Sequence, residues 1–448
     1  MYTAQIGKKF LQLYNQKTGG NLSAMDFFED EFFPVMFDSE DHLHLMHVHG
    51  SAFFQPSYSR LAEKEKISVQ KYRKKKFIEV LGDVEKNNIQ PHGGVGVGFM
   101  AGGNEETSSG QVSNIDLDLS QDNILHSWLG GALGAGFGGG YDLLFDNDEI
   151  LWFLFKGWQY YRKYLQETTG VKGRQIETWS GLWLTYGLEY KGDLDRAYMN
   201  TLDNLDIHKQ GKYIALKRPN WSTQIFSLAR NIEADKTKQI VYAYSYGQMN
   251  KSLGFFYLSF AKIKRMPALF KQLIDKDDKL KRSQIRRIEQ VYKTEFTFEK
   301  ACSMGGIGIK SLKPRNIKKY QAGRVNTKKI RLNTEQRKLT FINYLTWVEA
   351  MLNNEQTLKL AEELAENIIK YEGKEKRLRT RTRQVEALWE AYNRQQFIEQ
   401  LSSIIVDDSS VSKTLNQVVN QLMTDVTDNQ FKLFSTLTKF KYNLLKNN

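Results

Sequence analysis

The chain has 448 residues, with 64 Lys/Arg against 51 Asp/Glu, a formal net charge of +13, 12% aromatic residues, six prolines and one cysteine. That length accommodates two or three domains with cores of their own, and the aromatic content excludes a largely disordered chain. The single Cys302 excludes a disulfide framework within the chain, fits a reducing cytosol, and reads as an ordinary core or loop thiol.

The amino-terminal MYTAQIGKKFLQLYNQ holds two lysines with no apolar run of signal-peptide length behind them, so a cytoplasmic location is expected. Ile6, Phe10, Leu11, Leu13 and Tyr14 predict an amphipathic helix over 3–16 that ends near Gly19-Gly20. Ser23 and Asp26 open a second helix, which Pro34 is expected to stop. In DHLHLMHVHG (41–50) the pairs His42/His44 and His47/His49 each place two rings on one face of a strand, a spacing that chelates zinc. The three-residue step between the pairs puts them on opposite faces, and a polar loop or half-exposed strand is the reading preferred over a metal site. Residues 60–90 read as a charged helix with Tyr72, Phe77, Val80, Leu81 and Val84 inward.

The texture then changes. PHGGVGVGFMAGGNEETSSGQ (91–111) reads as a flexible or tightly turning loop with accessible backbone amides. Its Gly94-x-Gly96-x-Gly98 lacks the following helix and downstream acid of a dinucleotide fingerprint, and no Lys-Ser/Thr closes it as a P-loop. VSNIDLDLS (112–120) alternates as a strand. The window from Ile124 to Phe145, broken by His126, Asp142 and glycines, is a poor membrane span, so no membrane partner is expected. Seven glycines in positions 130–140 imply close backbone packing or, more sharply, a ligand reached through amides. Residues 148–166 predict a central aromatic helix, residues 175–191 short strand-like segments, and 239–249 and 253–263 strands or buried segments.

From Lys262 to Lys338 the chain turns basic. Residues 261–340 hold 23 Lys/Arg against 7 Asp/Glu, a net +16, so the rest of the chain sums to −3. KIKR (262–265), KRSQIRR (281–287), KSLKPRNIKKY (310–320) and RVNTKKIR (324–331) alternate cations with Ile, Leu, Tyr and hydroxyl residues, as suits a folded surface that follows phosphates. The candidate phosphate contacts are Lys262, Lys264, Arg265, Lys281, Arg282, Arg286, Arg287, Lys310, Lys313, Arg315, Lys318, Lys319, Arg324, Lys328, Lys329 and Arg331. Tyr292, Phe296, Phe298 and Tyr320 are candidates to stack on bases.

Beyond Asn333 apolar residues recur at helical spacing over 334–352, 358–371, 385–405, 411–423 and 429–445, which predicts a bundle of four or five helices. Its first joint, KEKRLRTRTR (374–383), adds Arg377, Arg379, Arg381 and Arg383 to the candidate cations. The expected organisation is a helical cap and charged helix (1–90), a mixed body (91–260), a basic segment (261–333) and a helical bundle (334–448). The fold class is α+β: an irregular mixed amino-terminal body with glycine-rich loops, then a carboxy-terminal α-helical bundle.

For catalysis the sharpest candidate is Glu189-x-Lys191 in LTYGLEYKG. A PD-(D/E)xK nuclease sets an acid and a lysine two apart on a strand, beside an upstream aspartate and a magnesium ion. Here the upstream acids are Glu177 and the pair Asp146/Asp148. No Ser-His-Asp constellation is present in the sequence pattern, and no cofactor is expected unless Mg²⁺ serves such a nuclease.

With its irregular body, glycine loops, local basicity and terminal bundle, the chain resembles the large subunit of type I CRISPR effector (Cascade) complexes. The resemblance rests on layout and carries no individual residue over. It implies antiviral defence, a body that recognises the short motif beside a DNA target, a bundle along the displaced strand, and DNA, guide RNA and further protein subunits as partners. A restriction-like endonuclease built on Glu189 and Lys191 is the alternative, and a scaffold for an acidic protein partner is the third reading.

Overall fold

A computed structural model describes residues 1–39, 42, 44–46, 57–86, 92–103, 112–113, 119–232, 239–245, 252–260, 263–266, 269, 289, 292–315, 335–352, 355–374, 378–424 and 426–446. The fold is α+β, with a small antiparallel sheet and a carboxy-terminal run of helices. Two compact units divide it: Met1–Ala261 with Thr297–Ile307, and Lys262–Phe296 with Gly308–Asn448.

The first unit begins with α1 (Tyr2–Thr18), which buries Ile6, Phe10, Leu11 and Leu13. It stops at Gly19, whose φ of 68° lets its N–H turn back to the Asn15 carbonyl. A capping box of Ser23 and Asp26 starts α2 (Ala24–Phe27). Pro34 does not end this stretch as expected. A π-helical turn over Phe28–Phe32, with the Phe33 N–H reaching back to Phe28, precedes α3 (Phe33–Phe37), and the proline falls in the first turn of α3. An N–H missing there removes no bond that the following helix needs. The charged α4 (Tyr58–Glu65) and α5 (Val69–Glu85) follow, with Tyr72, Phe77, Leu81 and Val84 of α5 buried.

Helix α6 (Gln121–Ala132) is buried throughout from Ile124 onward, because it crosses α1 backbone to backbone. A Cβ on Gly7 would lie 1.9 Å from the His126 carbonyl oxygen, and one on Gly130 would lie 1.9 Å from that of Thr3. The glycine loop folds onto this crossing instead of standing open. Thr3 Oγ1 donates to the Val97 carbonyl at 2.7 Å, the Val97 N–H donates to Ser127 Oγ at 3.0 Å, and Trp128 Nε1 donates to the Val95 carbonyl at 2.8 Å. The amides of Gly94, Val95, Gly96 and Phe99 are likewise engaged inside the segment, so these expected accessible amides are already used; residues 104–111 of the expected loop lie outside the described residues.

The sheet is antiparallel in the order β1 (Ala135–Phe137), β2 (Tyr141–Phe145), β5 (Gln239–Tyr244), β6 (Ser252–Leu258). Between β2 and β5 lie α7 (Asp148–Glu167), α8 (Ile176–Leu182), α9 (Leu194–Leu202), the hairpin β3 (Ile207–Gln210) and β4 (Tyr213–Leu216), and α10 (Trp221–Asn231). The expected strands over 175–191 are helical: α8 continues through a π turn (Trp183–Gly187) into a 3-10 turn (Leu188–Tyr190). Aromatic residues favour strands locally, but here tertiary packing decides. Trp179 and Trp183, four apart, stack 6.1 Å from each other and donate their indole N–H groups to the α7 carbonyls of Gly157 and Phe153. Most of the expected strand over 112–120 lies outside the described residues. The short α11 (Phe298–Cys302) returns to this unit, and Phe298 packs among Phe137, Tyr141, Trp221 and Phe256.

The second unit contains α12 (Glu335–Leu352), α13 (Glu355–Glu372), α14 (Leu378–Glu390), α15 (Arg394–Asp407), α16 (Ser412–Thr424) and α17 (Asp428–Lys446). Leu345, Val348, Leu364, Ile368, Leu388, Leu401, Val418, Phe434 and Leu437 are among its buried apolar residues. The single helix expected over 385–405 is two, because Asn393 takes an extended backbone and caps α15 through the Gln396 N–H at 2.8 Å. The second half of KEKRLRTRTR is helix, not joint. Among the described residues no helix is long and apolar enough to cross a membrane.

Replacing Gly7 by Ala forces two helix backbones apart and is expected to cost about 3 kcal/mol. Gly82, in α5, has no atom within 4 Å of a built Cβ, and Gly82→Ala is expected to stabilise by about 0.5–1 kcal/mol. Urea unfolding followed by tryptophan fluorescence reads both.

Glu349 is buried in α12, with Lys441 Nζ at 3.7 Å. Burial raises its carboxyl from 4.5 to about 7, against the opposing charge of Lys441. The folded state therefore holds this proton more tightly than the unfolded chain. The resulting stability is complete below pH 4.5 and is lost as pH rises to about 7. Glu349→Gln is expected to remove that decline: the two proteins unfold alike at pH 4, and the variant is the more stable at pH 8 by at most about 3 kcal/mol. Far-UV circular dichroism in urea at the two pH values measures the difference.

Candidate nucleic-acid interface

Of the sequence-derived cations, Lys262, Lys281, Arg282, Arg286, Arg287, Lys318, Lys319, Arg324, Lys328, Lys329, Arg331 and Arg377 lie outside the described residues. The others fall into three settings within the second unit. Lys264 and Arg265 are half-buried on a helical stretch over 263–266, flanked by buried Ile263 and Met266.

Lys310 lies in a turn, and Lys313 and Arg315 follow it on a segment that pairs with residues 293–295. The Arg315 N–H donates to the Lys293 carbonyl and the Glu295 N–H to that of Lys313, both at 2.7 Å. Trp347 Nε1 holds the segment from α12 by donating to the Ile309 carbonyl at 2.8 Å, and the Tyr344 hydroxyl donates to the Arg315 carbonyl. Lys310 and Arg315 are exposed, whereas Lys313 pairs with Glu295 at 3.2 Å.

On α14, Arg379 and Arg383 are exposed and four residues apart, so they share one face. Arg381 is buried on the other. Its Nε donates to Asp407 Oδ2 at 3.0 Å, Nη1 donates to the Tyr371 carbonyl at 3.3 Å, and the guanidinium lies 4.8 Å from the centre of the Tyr371 ring. Arg381 therefore pins α14 to α15 and the end of α13, which fixes the direction in which Arg379 and Arg383 point. Two of the expected base-stacking rings are core: Tyr292 and Phe298 are each 2% exposed. Phe296 is half-buried, and Tyr320 is outside the described residues.

The nuclease pattern takes a different geometry from the expected strand. Glu189 sits in the 3-10 turn with its carboxylate 3.9 Å from Arg230 Nη2, while Lys191 pairs with Glu149 and donates to the Asn231 carbonyl at 3.2 Å. The upstream acids are engaged elsewhere. Asp146 and Asp148 both meet Lys9, and Glu177 lies within electrostatic reach of Asp142. Among the described residues no group of three or more His, Cys, Asp and Glu is arranged to hold a metal. His42 Nε2 contacts the Val171 carbonyl at 3.2 Å and His44 is buried; His47 and His49 lie outside the described residues.

A buried ionic cluster in the first unit has no counterpart in the sequence reading. Asp142 of β2 and Glu177 of α8 are both buried, and Arg218, after β4, places Nη2 3.0 Å from Asp142 Oδ1 and donates through Nη1 to the Tyr141 carbonyl at 2.7 Å. Burial raises both carboxyls, and Arg218 opposes it in each. One guanidinium thus faces two acids, and their mutual repulsion favours a proton kept on Glu177. Gly136 makes the cluster possible, because a Cβ there would come within 2.8 Å of the Glu177 carbonyl and 3.2 Å of Arg218 Nε. The one signal in the sequence is an aspartate inside the apolar run YDLLF.

The chain matches no protein-family model, no curated protein and no solved structure.

Arg381→Ala strips a buried carboxylate of its guanidinium and is expected to destabilise the protein by about 3 kcal/mol. Arg379→Ala and Arg383→Ala, on the exposed face, are expected to stay within about 0.5 kcal/mol of the parent. Urea unfolding of the three variants, followed by circular dichroism, separates anchoring from surface arginines.

Proposed function

We propose that this protein binds nucleic acid through phosphates, using the basic segment 261–340 together with the exposed Arg379/Arg383 face of α14. The observation that carries the reading is the concentration of charge: +16 lies in 80 residues of a chain whose remainder is −3. A solubilising surface would spread its cations, whereas a phosphate path gathers them. The exposed settings of Lys310, Arg315, Arg379 and Arg383 agree with this reading, since a cation must keep its donors available to grip a phosphate. On the same reading the chain recognises target DNA as a subunit of a larger antiviral assembly that carries guide RNA. Purification from the native host, followed by sequencing of any RNA and identification of any proteins that accompany it, examines that part.

Binding to a labelled 20-base-pair duplex is expected to weaken with salt. If about five phosphates are neutralised, log affinity falls against log salt with a slope of about −4 to −5. Joint charge reversal of Lys281, Arg282, Arg286 and Arg287 is expected to lower affinity by at least about ten-fold and to flatten the slope. Fluorescence anisotropy between 50 and 200 mM salt (the range of about fourfold over which such contacts are read) measures both. A slope near zero contradicts the proposal.

A further inference from the structure

Glu177 lies in the first turn of α8, where that helix meets β1 backbone to backbone. A Cβ on Gly136 would lie 2.8 Å from the Glu177 carbonyl oxygen, and one on Gly181 would lie 2.0 Å from that of Gly136. Further bonds close this joint. Gln224 Nε2 of α10 donates to the Gly136 and Gly181 carbonyls at 3.0 Å each, and the Gly138 N–H donates to the Pro219 carbonyl at 3.0 Å. Gln175, just before α8, exchanges hydrogen bonds of 3.2 and 3.0 Å with the Leu216 backbone.

The Glu177 side chain is enclosed here at 6% exposure, within electrostatic reach of Asp142 at 1%. No donor among the described residues reaches its Oε1. Arg218, the cation within reach, is committed to Asp142 at 3.0 Å and to the Tyr141 carbonyl. The other titratable neighbours bring no donor. Tyr161 of α7 gives its hydroxyl to the Lys172 and Gly173 carbonyls, and Tyr244 of β5 lies opposite Asp142 in register. β1 carries no titratable residue, Arg230 of α10 meets Glu189, and Tyr186 of the π turn lies within reach of Asp206. Ionised, Glu177 sets a second carboxylate against one guanidinium where water is excluded, at a desolvation cost that no donor offsets. Neutral, it fits. Opening the joint admits water to the carboxyl, which then ionises as an exposed side chain does.

We propose that closing the α8–β1 joint takes up one proton on Glu177, which makes the joint a latch that loosens as pH rises. Burial, then the charge of Asp142, raises the Glu177 carboxyl from 4.5 to about 8. The latch is therefore fully held below pH 4.5, and its hold is lost as pH rises to about 8.

Hydrogen exchange of the full chain, followed by mass spectrometry of peptides over 135–145 and 176–187, reads the opening of the joint. Between about pH 5.5 and about pH 7.5 the opening constant, corrected for intrinsic base-catalysed exchange, is expected to rise about ten-fold per pH unit, as linkage to one proton requires. In Glu177→Gln, which keeps the shape of the neutral carboxyl, that constant is expected to be flat across the same range. Peptides over 121–132, at the α1–α6 crossing, are expected to show no rise in the parent. Infrared spectroscopy at neutral pH gives a second readout: a protonated-carboxyl band that persists in Glu349→Gln and is lost in Glu177→Gln. A flat opening constant in the parent overturns the latch, as does an equal rise in Glu177→Gln or an infrared band unchanged by that substitution. A rise shared by 121–132 assigns the pH dependence to the whole unit and also overturns it. If Glu177→Gln does not fold, the parent decides alone: a ten-fold slope confined to the two joint peptides supports the latch, and any other slope contradicts it.

Discussion

The first unit depends on the contact of two helix backbones where Gly7 of α1 meets the His126 carbonyl and Gly130 of α6 meets that of Thr3. No side chain fits between them, so the helices approach closely enough for the loop through Val95 and Val97 to bond across both. The same economy of volume continues along the chain. Gly136 of β1 leaves room for the Glu177 backbone and Arg218, and a Cβ on Gly138 would come within 2.8 Å of the Pro219 carbonyl. The glycine-rich run therefore works as a set of close approaches between elements, and the entropy it costs in the unfolded chain is offset by the packing those approaches allow.

In the second unit the arginines of one short helix divide their roles. Arg381 is buried against Asp407 and Tyr371, whereas Arg379 and Arg383 stand in solvent. A basic run in a sequence shows the total charge but not this division, which follows from helical phase: residues 379 and 383 share a face that residue 381 does not. Charge counted along a chain thus overstates the cations available to a polyanion, and Lys313, paired with Glu295, is a further case.

Much of the fold was legible because it follows from local rules. The first helix with its glycine stop, the capping box at Ser23, the aromatic helix over 148–167 and the helical carboxy-terminal region all follow from periodicity and caps. What escaped was decided by contacts distant in sequence. Residues 175–191 carry strand-favouring aromatics, but Trp179 and Trp183 gain helical stacking and two indole hydrogen bonds to α7. Pro34 is accommodated because a π turn precedes it, and no composition signals that. The glycine loop looked open because its amides find their partners within itself and in Ser127, thirty residues away from Val97. Among the site residues, the exposed cations were legible as a charge excess, while the buried Asp142–Glu177–Arg218 cluster was not, since its members come from three separate stretches of the chain.

The glycine-tightened scaffold is thus one unit, and the charge excess lies in the other. Photo-crosslinking is the most direct measurement of whether that division serves nucleic acid. A single strand substituted with 5-iododeoxyuridine is irradiated with the full chain, and the adducted peptides are sequenced. Adducts are expected on peptides from 261–340 or from α14. Adducts confined to peptides outside 261–340 and α14, or none at all under conditions of binding, would contradict it.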